Sequence, residues 1–298
     1  MKIKNLILSL ALVCSFSSSL YAEVEYSQRL VEQAQKGDAQ AQYDLAEAYY
    51  QGYNTEQDDE NAFNWYQKSA EKGNLDAIYA LGYMYDHGEF VEENNVEAMK
   101  WYLQAAQKGH LLSQYNYGFK LEDGEEGIEP NPKKSIEWIA KAANSGLAAA
   151  QYHLGYNYEM GTNVTPDLNK AIKYYQLAIA QGNADAQNNL GVLYQEGKGV
   201  GQNFDEALRL YTLAADQGHD LATSNIGILY ENGEGVKQNY VTAAKYYDMA
   251  YELGDINSLK YLANLYETGG FGLKKDIRKA KEYQKAFESS DAEQDAAQ

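Results

Sequence analysis

Few side chains in this chain of 298 residues have the types and spacing that catalysis requires. The segment Ser69-Ala-Glu-Lys72 matches the Ser-x-x-Lys motif, in which a serine of β-lactamases acts as the nucleophile. The companion motifs Ser-Asp-Asn and Lys-Thr-Gly are missing, and Lys72 recurs as Lys108 before an equivalent glycine. We therefore interpret Ser69 as structural, and a β-lactamase-like hydrolase is the less favoured alternative.

The histidines and the acidic clusters do not have the spacing of a metal or catalytic site. His110 and His219 follow glycines, at the position where Asn74 stands elsewhere, so we expect them to begin helices. The pattern His-Glu-x-x-His, paired cysteines, Gly-x-Ser-x-Gly and a Walker loop do not occur. The acidic runs at 58–60 and 122–126 lack the alternating spacing of a calcium loop. The sequence predicts no catalytic residue, no metal and no cofactor.

A sevenfold repeat positions most other side chains. Each unit carries a small residue that follows a large one, with spacings of 36, 36, 37, 36, 36 and 36 residues. Counting this small residue as position 0, another small residue stands at −5, an aromatic or leucine at +3 and a glycine at +6. The residues at position 0 are Ala46, Gly82, Gly118, Gly155, Gly191, Gly227 and Ala263.

The second half of each unit repeats as well, with the core Ala-x-x-aromatic-Tyr in most units and a glycine at the end. A glycine after an apolar periodic run is the left-handed residue that ends a helix. Each unit is therefore predicted to contain a helix A, a glycine-containing loop and a helix B. The loops from Gly124 to Ser135 and from Gly269 to Ala280 are one residue longer than the others. The predicted units lie near 39–73, 74–109, 110–146, 147–182, 183–218, 219–254 and 255–288.

These patterns predict an all-α fold, a right-handed α/α solenoid of seven helix-pair repeats with a period of 36. The small residues allow a neighbouring helix to approach closely. The pairs stack because no single pair can bury its apolar face alone. The segment Tyr26–Lys36 resembles a helix B and is predicted to be an N-terminal capping helix. The continuous solenoid is expected over 23–288, with a disordered polar tail at 289–298.

The consensus Ala-x-x-x-Leu-Gly-x-x-Tyr-x-x-Gly, then Ala-x-x-Trp/Tyr-Tyr-x-x-Ala-Ala-x-x-Gly, resembles the Sel-like repeat family, a branch of the tetratricopeptide superfamily. The resemblance covers roughly 25–288. It implies a protein-interaction scaffold, and exported bacterial members are linked to envelope assembly, host contact and toxin neutralisation. The last unit departs from the consensus, with Ala263 at position 0 and a lysine-rich helix B, as expected of a terminal cap.

The segment 1–22 has the features of a secretory signal peptide. Two lysines precede an apolar stretch at 6–14, which is too short to span a bilayer. A polar stretch then leads to a small residue, Ala22, after which we expect cleavage. The alternative, a lipid attached to Cys14, is disfavoured because the preceding Val13 is bulky. The mature chain is therefore expected in the periplasm or secreted, with no membrane span.

The charge of the chain limits its partners. The formal net charge is −18 at pH 7. Nucleic acid and anionic lipid surfaces would repel such a chain. The expected partner is a protein or peptide that is basic or neutral.

One face of helix A carries residues that the repeat consensus leaves variable. At 100° per residue, positions −3, +1 and +4 lie opposite the consensus positions. The first four repeats carry aromatic rings at seven of their eight −3 and +1 positions, and the last three repeats carry none. Tyrosine is frequent in binding surfaces, and the acidic side chains at +4 would favour basic ligands. The predicted ligand-binding residues are Tyr43, Tyr50, Tyr79, Tyr83, Asp86, Tyr115, Phe119, Glu122, Tyr152, Tyr156 and Glu159.

Two alternatives to a protein ligand remain at this point. The rings of helix A could pack on one another, or they could stack on sugar rings in a glycan-binding or peptidoglycan-binding module. The helix B aromatics, including Trp65, Trp101 and Trp138, recur at fixed positions, and we expect them to belong to the core.

Overall fold

The computed structural model describes residues 26–296, and within that range the chain forms fifteen α-helices and no strand. The helices are α1 (Gln28–Gln35), α2 (Ala39–Gln51), α3 (Asp59–Glu71), α4 (Leu75–His87), α5 (Asn95–Gln107), α6 (Leu111–Asp123), α7 (Pro132–Asn144), α8 (Ala148–Met160), α9 (Leu168–Ile179), α10 (Ala184–Glu196), α11 (Phe204–Ala215), α12 (Asp220–Asn232), α13 (Tyr240–Glu252), α14 (Ser258–Thr268) and α15 (Ile277–Ala296). The predicted signal peptide at 1–22 lies outside the described residues.

Helices A and B alternate along the chain. The even-numbered helices α2 to α14 are the seven A helices, the odd-numbered helices α3 to α15 are the B helices, and α1 precedes the first repeat. The predicted all-α repeat solenoid is therefore confirmed. By its contacts the chain divides into two compact units, Met1–Lys141 and Ala142–Gln298. We call them unit 1 and unit 2 and describe each by itself.

Polar side chains fix the helix starts. The Nδ1 atom of His110 accepts a hydrogen bond from the amide of Ser113 at 3.2 Å, and that of His219 accepts one from Ala222 at 3.1 Å. These two histidines are therefore N-caps, as predicted from their positions after glycines. Asn74 caps α4 in the same way, since its Oδ1 accepts from the amide of Ala77 at 2.9 Å.

The two longer loops end their A helices differently from the others. In five repeats the A helix ends at a glycine with φ of 67–74° and ψ of 23–32°, which is the left-handed conformation. Gly124 and Gly269 instead have ψ of 170° and −179°. The extra residue then allows an isolated antiparallel bridge in each loop, Glu125 with Ile128 and Gly270 with Leu273.

The glycine at position 0 accommodates an aromatic ring rather than a neighbouring backbone in most repeats. A Cβ atom at Gly155 would lie 2.8 Å from Cδ1 of Tyr175, and one at Gly191 would lie 2.7 Å from Cε1 of Tyr211. The ring in each case belongs to helix B of the same repeat. Repeat 3 differs because an isoleucine replaces this tyrosine, and there the backbone oxygen of Ser135 approaches Gly118.

The helix B tryptophans are at the edge of the core rather than inside it. The fully buried aromatic is the tyrosine that follows: Tyr66 is 2% exposed and Tyr102 is 0% exposed. Trp65 and Trp101 are half-buried and pack against the same cluster. The prediction that the tryptophans belong to the core is thus only partly correct.

Glutamines join successive helices in unit 2. The Nε2 atom of Gln151 donates to the backbone oxygen of Ala143 at 3.0 Å, and its Oε1 accepts from Gln181 at 2.8 Å. Gln217 donates to Gln187 at the same distance one repeat later. The two glutamine–glutamine bonds connect the end of a B helix with the A helix that precedes it, and the bond to Ala143 connects an A helix with the B helix before it.

The C-terminal segment differs from the prediction. The helix α15 runs to Ala296, although a disordered tail was expected from residue 289. The segment from 289 to 296 contains alanine, glutamate and glutamine, which favour helices, and no glycine or proline that would end one.

Candidate functional site

The tyrosines at position −3 pack on the buried tyrosine of helix B in the same repeat. In unit 1 the ring centroids of Tyr43 and Tyr66 are 5.8 Å apart, and those of Tyr79 and Tyr102 are 5.7 Å apart. In unit 2 Tyr152 lies 6.1 Å from Tyr175. Position −3 is therefore part of the scaffold, which corrects the interpretation that the repeat leaves it free.

The same position is filled differently in repeats 5 and 6. Asn188 and Ser224 stand there, and they are only 6% and 4% exposed. Small polar side chains thus suffice for the scaffold. The larger rings of Tyr43, Tyr79 and Tyr152 extend beyond that space and remain half-buried, so they add aromatic surface that the fold does not need.

Two pairs of rings lie on unit 1, and Tyr79 and Tyr83, one from each pair, stand four residues apart on α4. Tyr83 stacks on His87 with a centroid distance of 3.9 Å and an angle of 21° between the planes. The ring of His110 lies 5.1 Å from that of Tyr79. We call Tyr79, Tyr83, His87 and His110 the ring cluster. His87 was not among the predicted residues, although its position one helical turn after Tyr83 places the two side chains on one face.

Tyr115 does not belong to an accessible surface. It is 3% exposed, and its ring lies 6.1 Å from that of Phe119, which is half-buried. In unit 2 the half-buried rings of Tyr152 and Tyr156 are 6.5 Å apart. The predicted aromatic residues thus divide into a buried one and several that are partly exposed.

The polar side chains at +4 hold buried tyrosine hydroxyls. The hydroxyl of Tyr102 donates to Asp86 at 3.0 Å in unit 1. Repeats 5 and 6 have the same bond, from Tyr211 to Gln195 at 2.7 Å and from Tyr247 to Glu231 at 2.5 Å. Repeat 4 has it between Tyr175 and Glu159 at 2.5 Å. Asp86 and Glu159 thus already accept a core hydroxyl, and their role in selecting a basic ligand stays a prediction.

In repeat 1 the buried helix B tyrosine needs a different hydrogen-bond acceptor, because Tyr50 occupies position +4. The hydroxyl of Tyr66 donates instead to Glu47 at 2.6 Å, and Tyr43 also hydrogen bonds to this carboxylate. Burial raises the pKa of Glu47, and these two hydrogen bonds lower it by less. Tyr50 donates to Glu89 of the next repeat at 2.7 Å, and burial is the main cause that raises the pKa of Tyr50.

A buried lysine replaces an apolar side chain in repeat 3. Lys120 is 7% exposed and forms an ion pair with Asp86 and another with Glu125, the latter at 2.6 Å. It also donates to Oδ1 of Asn95 at 2.9 Å. Lys120 was not among the predicted residues. The sequence marks it as an exception, because position +2 is apolar in five other repeats, at Ala48, Met84, Leu193, Leu229 and Leu265.

Glu122, also predicted as a binding residue, stands at +4 of the same repeat. It is 8% exposed, and Ile139 occupies the place of the helix B tyrosine to which other repeats bond. Its burial makes it a poor surface contact.

The Ser-x-x-Lys segment is engaged in the fold. The hydroxyl of Ser69 donates to the backbone oxygen of Ala39 at 2.6 Å, and Lys72 donates to that of Gly37. Each polar group therefore bonds to the backbone near the start of α2, and the two do not form a nucleophile and base pair.

Between residues 26 and 296, no three His, Cys, Asp or Glu side chains are arranged to hold a metal ion. None of the described helices has the length and apolar character needed to cross a membrane.

Stacked pairs of antiparallel helices with tyrosine-rich packing define a helical-repeat protein. The Sel1 repeat model matches residues 39–74, 75–110, 111–147, 148–183, 184–219, 221–255 and 257–288. The chain belongs to the Sel1 repeat family. Proteins of this family are generally protein-interaction scaffolds, and the fold is typically non-enzymatic.

Two solved structures share the fold at moderate identity. A Sel1 repeat protein from Oxalobacter formigenes is 27% identical with a TM-score of 0.73, over 83% of this chain and 96% of that one. The second, c5321, is described as a protective antigen present in uropathogenic Escherichia coli strains displaying an SLR fold. It is 28% identical with a TM-score of 0.62, over 88% of this chain, which spans 64% of the length of that protein. No curated protein matches the sequence significantly.

Proposed function

We propose that the chain is an exported protein-interaction scaffold, and that the ring cluster on unit 1 is the centre of a site for a protein or peptide partner. The observation that carries the proposal is the half-buried state of Tyr79 and Tyr83. At position −3 the scaffold accepts buried Asn188 and Ser224, so the part of the larger ring that extends beyond this space is not required for packing.

The chemistry of the cluster favours a peptide as the ligand. Aromatic rings offer broad contact area at a low entropic cost, and their polar groups can hydrogen bond to a peptide backbone. Tyr83 and His87 are already stacked, so little side-chain freedom is lost when a ligand covers them. A basic or neutral partner fits the net charge of −18, although Asp86 is engaged by Tyr102 and Lys120.

Export rests on the sequence of the first 22 residues. The expected mature protein begins at Glu23 and lies in the periplasm or outside the cell. Intact mass measurement of the protein from extracytoplasmic fractions tests this part by itself. A mature species that keeps Met1, or one with a lipid on Cys14, contradicts it.

The binding site is tested by capturing partners with the mature protein as bait and measuring their affinity by calorimetry. Tyr79→Ala and Tyr83→Ala should each weaken binding by about 10-fold or more, as truncated aromatic hot spots do. Val192→Ala and Ile228→Ala, at the +1 position of repeats 5 and 6, are the matched controls and should change little. Equal losses in both sets, or losses confined to variants that unfold early, contradict the site. Retention on peptidoglycan that depends on Tyr83 would replace the protein partner by a glycan.

A further inference from the structure

The B helices of unit 2 carry exposed apolar side chains that unit 1 lacks. They occupy one equivalent position of the repeat in α9, α11 and α13, and we call them the apolar row. Exposures of 41%, 38% and 50% are found for Leu177, Leu213 and Met249. The same position in unit 1 holds Lys68, Gln104 and Lys141. The fold therefore does not require an apolar residue at this position.

Charges of opposite sign stand on the two sides of the apolar row. On α13 the cation Lys245 precedes Met249 by four residues, and the acid Glu252 follows Met249 by three. Residues three or four apart lie on one face of a helix, and all three side chains are exposed. The helix α11 has the same exposed order of cation, apolar residue and acid, with Arg209, Leu213 and Asp216.

Three other acids on α11 and α13 do not change this order. Glu206 pairs with Arg209 at 2.6 Å, but both side chains are partly exposed, and such a pair contributes little and can exchange. Asp205 stands one helical turn further from the apolar row than Arg209 does. Asp248 accepts a hydrogen bond from the hydroxyl of Tyr283 on α15 at 3.0 Å. The exposed acid next to the apolar row is therefore the one on its C-terminal side.

The two charges on α13 are available to a partner. Among the described residues, neither Lys245 nor Glu252 forms an ion pair. They are seven residues apart, which is about 10.5 Å along the helix, so they do not pair with each other. A surface with a cation on one side of an apolar residue and an acid on the other selects neither a purely acidic nor a purely basic partner. It is complementary to a surface that presents the same charges in the reverse order.

We infer that the apolar row is the interface through which two copies of this chain form a symmetric dimer. A two-fold axis along the row sets each B helix antiparallel to the same helix of the second copy. Each apolar side chain then meets its own copy, and Lys245 of one copy lies opposite Glu252 of the other. On α11 the corresponding pair is Arg209 and Asp216. A two-fold axis along the helices would instead place cations against cations, so the charges select the antiparallel arrangement.

The dimer is expected to be weak and reversible. Three apolar side chains with their flanking charges make a small interface, although Leu253, which is 45% exposed, extends it on α13. The net charge of −18 on each copy also opposes association. The fraction of dimer should therefore rise steadily with the concentration of the protein.

Sedimentation equilibrium of the full chain over a range of concentrations tests the inference. Lys245→Glu and Glu252→Lys should each weaken the dimer by about 10-fold or more, because like charges then face each other at two symmetric contacts. An equimolar mixture of the two variants should dimerise like the parent chain, since both contacts in the mixed dimer again join opposite charges. Contacts within a single copy cannot produce this recovery, because each variant still carries its own substitution.

Leu213→Arg should also weaken the dimer by about 10-fold or more, because this residue meets its own copy at the axis. The matched control is Gln104→Arg at the equivalent exposed position of α5, which should dimerise like the parent chain. All four substituted residues are exposed, so each variant should keep the parent circular dichroism. A chain that stays monomeric at every concentration overturns the inference, and so does a mixture of the two α13 variants that fails to dimerise. A monomeric chain that floats with phosphatidylglycerol vesicles unless it carries Leu213→Arg would assign the row to a lipid surface.

Discussion

The ammonium group of Lys120 on α6 lies against the carboxylate of Asp86 on α4, and both side chains are largely buried, at 7% and 12% exposure. This pair joins two successive A helices through a position that is apolar in most other repeats. Removal of one partner of a buried pair leaves the other charge without compensation, which is costly. The two residues should therefore be strongly coupled.

We expect Lys120→Met to lower the free energy of unfolding by about 3 kcal/mol. The loss in the double variant with Asp86→Asn should be smaller than the sum of the two single losses by about 1 kcal/mol or more. Urea denaturation of the parent chain, the two single variants and the double variant measures these free energies. Lys100→Met is the control, because Lys100 pairs with Glu97 at an exposed site and should cost less than about 1 kcal/mol. Additive losses would refute the coupling.

The carboxyl group of Glu47 should make stability depend on pH. Burial raises its pKa above the ordinary value of 4.5, so the folded state binds this proton more tightly than the unfolded state does. The stabilising contribution is therefore complete below the unfolded pKa and is lost as the pH rises through the folded pKa. Glu47→Gln should therefore gain stability relative to the parent chain as the pH rises above the unfolded pKa and through the folded pKa.

Glu206 is a control for this measurement, because its pKa is shifted in the opposite direction. Its hydrogen bonds with Arg209 hold its pKa below 4.5. Its contribution is present above the unfolded pKa and is lost as the pH falls. Glu206→Gln should therefore be less stable than the parent chain above the unfolded pKa, and the difference should disappear as the pH falls through the folded pKa. Urea midpoints at several pH values measure how the stability of each variant relative to the parent chain changes with pH. The same pH dependence for both variants would contradict the opposite pKa shifts of Glu47 and Glu206.

Gly155 should tolerate a side chain poorly, although Ala46 and Ala263 stand at position 0 of repeats 1 and 7. A Cβ atom at Gly155 would lie 2.8 Å from the ring of Tyr175, so Gly155→Ala should destabilise by roughly 1–3 kcal/mol through overpacking. A Cβ atom at Gly201 would meet nothing within 4 Å, and Gly201→Ala should be neutral or slightly stabilising. Thermal unfolding of the two variants checks the difference. Equal melting temperatures would show that the ring can move aside.

The N-cap at His110 can be tested by two substitutions. His110→Ala removes the acceptor for the Ser113 amide and should cost about 1 kcal/mol. His110→Asn should restore most of the loss, because Asn74 caps the equivalent helix. Denaturation midpoints of both variants measure the effect. An asparagine variant as unstable as the alanine variant would mean that the contact of His110 with Tyr79, not the cap, stabilises the helix.

The fold followed from the sequence because the small residues at position 0 mark every repeat. The contacts of the side chains on the surface of helix A were predicted less well from the sequence. An angle calculated for an isolated helix places Tyr43 away from the consensus face, but a long tyrosine side chain reaches sideways to Tyr66 of helix B. The bond between Tyr102 and Asp86 also joins two helices, and no pattern within a single helix reveals it. Lys120 could have been found, since its position is apolar in other repeats.

The glutamine bonds of unit 2 have a consequence for how such a chain can change in length. Gln181 with Gln151 and Gln217 with Gln187 are the same contact, separated by one repeat. Loss of residues 184–219 by recombination within the gene would present Ala222, Ile226 and Leu229 to α9 in place of Ala186, Leu190 and Leu193. The new junction would have the same chemistry as the old one. Duplication or deletion in steps of 36 residues would therefore change the number of repeats in unit 2 and preserve these contacts between neighbouring helices.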